Sequence, residues 1–231
     1  MSQAESLIAT IASLQDQDEY EHLHWEGSFE EYLQLVRDDP RICRTAYQRL
    51  FDMIMGYGRE EYIDSKKKVV HYPFFDDPID EGKDAIFGID VTLMRLVNVI
   101  KSAALGYGTE KRIILLHGPV GSAKSTIARL LKKGLETYSR SDEGRLYTFE
   151  WHIPEDLLHV SGGEAIVPDP MNEDPIKLIP FDIRDQAITD LKLGDDEYPL
   201  RVKGDLNPAS RYIFRLLMEH YHGDLKKVWG H

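Results

Sequence analysis

The feature that most constrains this chain is a glycine-containing loop that joins an apolar run to an amphipathic helix pattern. Residues 113–116, with the sequence IILL, have the continuous apolar character of a strand that is buried on both faces of a parallel sheet. Residues 118–125 form the loop, and apolar residues then recur at helical spacing from Ile127 to Leu135. A further apolar stretch at 146–151 predicts the next strand. Strand, helix and strand in this order predict an α/β fold with a parallel sheet.

The loop, with the sequence GPVGSAKS, matches the phosphate-binding (P-loop) pattern GxxxxGK[ST] at every fixed position except Ala123, where the pattern has glycine. In such a loop the backbone amides and the positive end of the helix dipole surround a phosphate chain. We predict that Lys124 reaches the β- and γ-phosphates of ATP, that Ser125 ligates Mg²⁺, and that Thr126 lies beside the α-phosphate. The predicted nucleotide-binding residues of the loop are Gly118, Pro119, Val120, Gly121, Ser122, Ala123, Lys124, Ser125 and Thr126.

Ala123 leaves two other interpretations of the loop open. Its Cβ is expected to point toward the phosphate and the surrounding backbone, which would weaken binding. The loop would then be a structural strand–turn–helix connection with a lysine by chance, or a degenerate site that no longer binds nucleotide. We favour ATP binding because the motif and both flanking elements agree.

A working nucleotide hydrolase also needs an acidic residue at the end of a neighbouring strand, where it holds Mg²⁺ through water. Glu150 ends a predicted strand, but that strand need not lie beside the loop. Pro180 excludes a central strand before Asp182, and the stretch before Asp205 is too short to be one. We therefore assign no catalytic residue, and we expect the chain to be the N-terminal part of a longer protein, truncated before this strand.

The charge and composition of the chain exclude several classes of protein. Its 28 basic and 40 acidic residues give a formal net charge of −12, and a negative surface repels nucleic acid. No apolar run reaches the roughly 18–20 residues of a membrane span, and the N-terminus lacks a secretory signal. The single cysteine, Cys43, is predicted to be a buried, unreactive thiol. These features predict a cytoplasmic protein that binds neither nucleic acid nor membrane.

The chain divides by pattern into two parts. Residues 1–70 predict an N-terminal helical segment, in which Ser28 and Glu31 have the spacing of a capping box at a helix start. Residues 71–231 predict the ATP-binding domain, whose first helix is expected to run from about residue 89 to about residue 106.

The second half of the ATP-binding part is poorly periodic and rich in Pro, Asp and Gly. Asp169, Glu173 and Asp174 are predicted to lie in a solvated charged loop; the alternative is a charged loop that contacts a partner subunit. Asn207 is predicted to be the N-cap of a later helix that has Pro208 in its first turn.

Several ordered sequence blocks resemble the AAA-type ATPase domain of the PrkA family of bacterial serine protein kinases. The resemblance extends over nearly the whole chain, and the blocks lie at residues 29–33, 103–106, 116–125, 132–139, 149–151, 170–180 and 204–211. One position departs from the family pattern, because Asp169 stands where the family has a cysteine. We therefore assign no thiol or metal role to that position.

The resemblance implies a P-loop NTPase core of AAA type that uses ATP and Mg²⁺ to phosphorylate serine in a protein substrate, and a possible homo-oligomeric ring. In such ATPases the residues just before the first core helix wrap the adenine. By this analogy Phe87 or Ile86 would lie against the base, and Gly88 would belong to the same turn. The alternative is that these residues form only a helix N-terminal turn that packs on the core.

The resemblance alone indicates kinase activity, because the sequence has neither the His-Arg-Asp nor the Asp-Phe-Gly motif of eukaryotic-type kinases. Two further functions stay open. One is an AAA motor that remodels or degrades proteins, similar to the Lon-like ATP-dependent proteases. The other is a nucleotide-sensing module without turnover, which a defective Ala123 and a missing acidic strand would favour.

Overall fold

The computed structural model describes residues 24–158, 165–194, 200 and 202–230, together with residues 9, 10, 12 and 20. The α-helices in this part of the chain are α1 (Phe29–Asp38), α2 (Ala46–Gly56), α3 (Asp90–Ala104), α4 (Lys124–Tyr138), α5 (Glu155–Leu158), α6 (Phe181–Asp190), α7 (Pro208–His220) and α8 (Leu225–Val228). The strands are β1 (Glu60–Asp64), β2 (Lys67–His71), β3 (Glu150–Ile153) and β4 (Ala165–Pro168). Short 3₁₀ helices lie at Pro40–Cys43, Pro73–Asp76, Thr109–Lys111, Asp142–Gly144 and Pro175–Leu178.

Local hydrogen bonds start the first two helices. The Ser28 hydroxyl accepts a bond from the Glu31 amide at 3.3 Å, and the Ser28 amide donates to Glu31 Oε2 at 2.7 Å. This confirms the predicted capping box. Thr45 and Gln48 form a second capping box at the start of α2. Cys43, in the 3₁₀ helix Pro40–Cys43, is buried, as predicted.

The main core lies between α2, α3 and α4 and the 3₁₀ helix Pro73–Asp76. The rings of Phe74 and Phe75 lie edge to face at 5.1 Å in this core and are fully buried. Gly134 of α4 lies so close to Phe74 and Met53 that a Cβ there would come within 2.7 Å of both side chains. This close approach fixes α4, and with it the phosphate loop that precedes α4, against the segment before α3.

The strands in the described residues form two separate antiparallel pairs, β1 with β2 and β3 with β4. The predicted strand at 146–151 is present only in its last part, as β3, and β3 pairs with β4. The parallel sheet stays a prediction.

The expectation of a buried strand at 113–116 is wrong for this structure. These residues are not in a strand, and the side chains of Ile113 and Leu115 are 95% and 81% exposed. Leu116 alone of the four packs on the main core. A central strand takes its backbone hydrogen bonds and its burial from strands on both sides, and no strand in the described ranges pairs with this segment.

Two smaller clusters join α1 to the second half of the chain. The Tyr32 hydroxyl of α1 donates to Asp174 Oδ1 at 2.6 Å and lies 3.1 Å from Cys43 Sγ. Burial and the charge of Asp174 raise the pKa of Cys43, which fits an unreactive thiol. The division of the chain at residue 70 stays a prediction. Among the described helices, none is both long and apolar enough to cross a membrane.

Candidate nucleotide-binding site

The phosphate loop leads directly into α4 and is closed by Lys124. The Lys124 ammonium donates to the carbonyl oxygens of Gly118 at 2.9 Å and Pro119 at 2.5 Å, and to Ser122 Oγ at 2.9 Å. Ser122 Oγ in turn donates to the Pro119 carbonyl at 2.8 Å. The loop therefore curls around the ammonium of Lys124, which lies against the carbonyl oxygens of the loop.

The first amides of α4 are available to an acceptor. The first intrahelical bond joins the Ile127 amide to the Ala123 carbonyl at 2.8 Å, and Ala123 provides no side-chain cap. Among the described residues, none accepts a hydrogen bond from the amides of Lys124, Ser125 or Thr126. Three unengaged N–H groups at the positive end of a helix dipole suit an anion such as phosphate.

Ala123 has a left-handed backbone conformation, with φ 57° and ψ 10°. This conformation costs an L-residue about 1–2 kcal/mol, which explains why the general pattern has glycine there. Its methyl group packs on the main core, in contact with the cluster that contains Ile127. The folded chain therefore has alanine in place of the glycine of the pattern, and its backbone is strained at that residue.

The side chains of the loop differ in exposure. Val120 is fully exposed, and Ser125 is exposed at the first turn of α4. Thr126 is half-buried, and its Oγ1 lies 3.5 Å from a guanidinium nitrogen of Arg129. The hydroxyl predicted to ligate Mg²⁺ is thus accessible from solvent.

The two residues predicted to contact adenine, Ile86 and Phe87, differ in exposure. Ile86 is a buried core residue, and its amide donates to the Phe75 carbonyl at 2.9 Å. Phe87 is 78% exposed, and Gly88 has φ 76° with open space at its Cβ position. Of the pair, only Phe87 has a side chain that is exposed to solvent.

Two ion pairs attach the segment before Ile86 to the same helix that begins at the phosphate loop. Arg129 of α4 donates from Nε to Asp84 Oδ2 and pairs through a terminal nitrogen with Oδ1, both at 2.9 Å. Lys133, one turn later, lies 2.6 Å from Asp77 Oδ1. The sequence did not indicate either pair, because the partners are separated by 45 and more positions and have no motif spacing.

Residues that the sequence placed in a solvated loop are central to a buried network, so that prediction is wrong. Asp169 is 3% exposed and accepts bonds from the amides of Met171 and Glu173 at 3.1 and 2.8 Å. It also accepts from Asn207 Nδ2 and Ser210 Oγ. Burial raises the pKa of Asp169, but these bonds together hold it below its ordinary value.

This network joins two of the sequence blocks that carry the family resemblance. Asn207 caps α7, as predicted, since its Oδ1 accepts from the Ala209 and Ser210 amides at 3.0 and 3.1 Å. Its own amide donates to Glu173 Oε2 at 2.8 Å. The Asp and Asn residues of both blocks indicate that side chains bond to the nearby backbone. They do not indicate that the two blocks bond to each other.

A second buried centre, Arg184, gave no signal in the sequence. It is 1% exposed and donates to the carbonyl oxygens of Ile179, Gly204 and Lys177 at 2.9, 2.6 and 3.0 Å. Burial lowers its pKa. Arg184 therefore holds together the two stretches that flank α6.

Three carboxylates were considered as the acidic residue that holds Mg²⁺ at the end of a neighbouring strand, and the structure places none of them there. Glu150 is exposed at the first residue of β3, and Asp182 is exposed in the first turn of α6. Asp205 Oδ1 accepts from the Leu206 amide at 2.8 Å. None of the three ends a parallel strand in the described chain, and we assign no catalytic residue.

Comparison with known proteins identifies the domain to which these features belong. The model of the PrkA AAA domain matches residues 27–229. The chain is 37% identical over 212 residues to a Bacillus subtilis (strain 168) protein named ATP-dependent protease PrkA, which is 91% of this chain and 28% of that protein. It is 28% identical over 118 residues to an Escherichia coli (strain K12) protein named serine/threonine kinase YeaG, which is 46% of this chain and 17% of that protein.

The chain thus spans only a minor part of the length of both relatives. No solved structure matches it significantly. The family match nevertheless includes every sequence block named above and the complete phosphate loop. The chain belongs to the PrkA AAA domain family.

Proposed function

We propose that this domain binds ATP together with Mg²⁺ at residues 118–126. The observation that carries the proposal is the placement of Lys124, whose ammonium lies inside the loop on two carbonyl oxygens and one hydroxyl. Phosphate oxygens are better partners for an ammonium than neutral carbonyls, so a triphosphate would compete for Lys124. The unengaged amides at the start of α4 add donors for the same ligand.

The residues present also fit the metal ion. Ser125 has an exposed hydroxyl next to Lys124, and hydroxyl and phosphate oxygens are the hard ligands that Mg²⁺ prefers. When bound, Mg²⁺ would neutralise part of the phosphate charge. Lys124 and the helix amides would hold the rest of the phosphate chain.

We assign the base to the turn at Phe87 and Gly88. The exposed ring of Phe87 offers an apolar face to adenine, and the positive φ of Gly88 turns the chain sharply into α3. Ile86 supports this turn from the core and does not itself face a ligand.

The activity that ATP serves is proposed by similarity. We propose serine protein kinase activity for the protein that carries this domain, supported by the resemblance and by the name of the Escherichia coli relative. A second candidate is an ATP-dependent protease or remodelling motor. It is favoured by the name of the Bacillus subtilis relative, to which 91% of this chain aligns.

Titration of the intact protein with a fluorescent ATP analogue tests the binding site. Replacing Lys124 with Ala should weaken binding about 10- to 150-fold, the range expected for loss of hydrogen bonds to a charged group. Lys132→Ala is the matched control, because Lys132 is exposed on the same helix and pairs only weakly with Glu136. Equal affinity of the parent protein and the Lys124→Ala variant would reject the site.

The two candidate activities are separated by following the γ-phosphate of radiolabelled ATP in the presence of a protein substrate. Label on a substrate serine supports the kinase. Free phosphate with peptide release or unfolding of the substrate supports the protease or motor. ATP binding with neither product supports a nucleotide-sensing module.

A further inference from the structure

The turn proposed for the base is anchored on both sides while its ring stays exposed. On the N-terminal side, Asp84 binds Arg129 of α4, and the Ile86 amide binds the Phe75 carbonyl. On the C-terminal side, Asp90 begins α3 and accepts from His71 Nδ1 at 2.9 Å. Its other carboxylate oxygen accepts from the Tyr62 hydroxyl at 2.8 Å.

The contact of Arg129 with Asp84 is a bidentate ion pair, which fixes the orientation of the Asp84 carboxylate relative to α4. Two nitrogens of the planar guanidinium meet the two carboxylate oxygens, each at 2.9 Å. Such a bidentate pair fixes direction as well as distance, which a lysine at the same position would not do. The same guanidinium lies 3.5 Å from Thr126 Oγ1, at the end of the phosphate loop.

The exposure of Arg129 argues against a mainly structural role. The Arg129 side chain is 58% exposed and that of Asp84 is 19% exposed, so water reaches the guanidinium and screens the contribution of the pair to folding. The neighbouring pair of Lys133 with the buried Asp77 already attaches this segment to α4. A second pair, one turn closer to the phosphate loop, would be redundant for stability alone.

We propose that Arg129 is a positioning residue for nucleotide recognition. This inference rests on the proposed ATP site. By holding Asp84, Arg129 sets where the Phe87 turn stands relative to the phosphate loop, so that base and phosphates are engaged together. Without the pair, the turn must be ordered when the nucleotide binds, and that ordering weakens affinity for ligands that carry a base.

The test compares two ligands by calorimetric titration of the intact protein in Mg²⁺: ATP, and tripolyphosphate, which has no base or ribose. Arg129→Gln should weaken ATP binding about 3- to 12-fold, as expected for the ordering of one loop side chain or turn. Tripolyphosphate affinity should change less than about twofold, and Arg129→Lys should recover only part of the ATP affinity. Lys132→Gln on the same helix is the control and should leave both affinities unchanged.

Equal losses for the two ligands would overturn the inference, since the residue would then act on the phosphate loop itself. Unchanged ATP affinity in Arg129→Gln would overturn it as well, and so would equal affinity of the parent protein for ATP and tripolyphosphate. Failure of the ATP site itself has a different signature. In that case the parent protein binds neither ligand, or Lys124→Ala leaves both affinities unaltered.

Discussion

The carboxylate of Asp77 is fully buried and lies 2.6 Å from the ammonium of Lys133. Asp77 itself has a left-handed backbone, with φ 57°, and its other oxygen accepts from the Asp84 amide at 2.9 Å. One side chain therefore shapes the turn from residue 77 to residue 84 and attaches that turn to α4. Burial raises the pKa of Asp77, but Lys133 and the backbone amides lower it by more. The net effect is a pKa below the ordinary value, so Asp77 is ionised at neutral pH.

Replacing Asp77 with Asn should lower the thermal unfolding midpoint by about 3–12 °C, because the ammonium of Lys133 loses its charged partner, which costs about 1.5–3 kcal/mol. The measurement is thermal unfolding followed by circular dichroism. Glu136→Gln serves as the control, since Glu136 lies on α4 with its side chain 63% exposed and 3.7 Å from Lys132. Equal midpoints for the two variants would show that burial of Asp77 does not matter.

Ala123→Gly should raise the free energy of unfolding by about 1 kcal/mol, because glycine adopts the left-handed conformation without strain. Ala128→Gly, five residues along the same helix at an exposed position, should lower it by about the same amount. Chemical denaturation of both variants measures the two changes. A loss of stability in both would mean that the core contact of the Ala123 methyl outweighs the backbone strain.

The network around Asp169 should be important for folding. Asp169→Asn removes a charged acceptor from four hydrogen-bond donors, and we expect a loss of about 1–3 kcal/mol of unfolding free energy. Glu219→Gln, which affects only an exposed pair with Arg215 on α7, should cost less than about 0.5 kcal/mol. Urea unfolding of the two variants tests this difference, and similar losses would contradict the network.

His71 predicts a pH dependence of stability. Hydrogen bonds to Asp90 at 2.9 Å and Asp76 at 2.8 Å raise its pKa above the ordinary 6.5, against an opposing effect of burial. A raised pKa means that the stabilisation is fully present below pH 6.5 and is lost as the pH rises through the folded-state value.

The difference in unfolding free energy between the parent protein and His71→Gln should therefore be larger at pH 5.5 than at pH 8.5. Denaturation at the two pH values measures it. The lowered pKa values of Asp77, Asp90 and Asp169 do not interfere, because their contributions are lost only as the pH falls below about 4. A difference that is constant with pH would show that His71 is not charged in the folded protein.

The predictions from sequence that held concern short-range structure. The capping box of Ser28 and Glu31 and the Asn207 cap join residues within three positions of each other. Partners this close are brought together by the local backbone, so residue types and spacing alone indicate them. The predicted contact of Lys124 with a phosphate chain stays a prediction.

The sequence by itself thus determined the family and the starts of α1 and α7. Only the tertiary structure decided which distant polar groups meet, such as Asn207 with the buried Asp169, and Tyr32 with the half-buried Asp174, 142 positions away. It also decided that residues 113–116 stand without strand partners in the described chain. The physical reason is that burial and strand pairing depend on neighbours that are distant in sequence, about which the pattern of one segment carries no information.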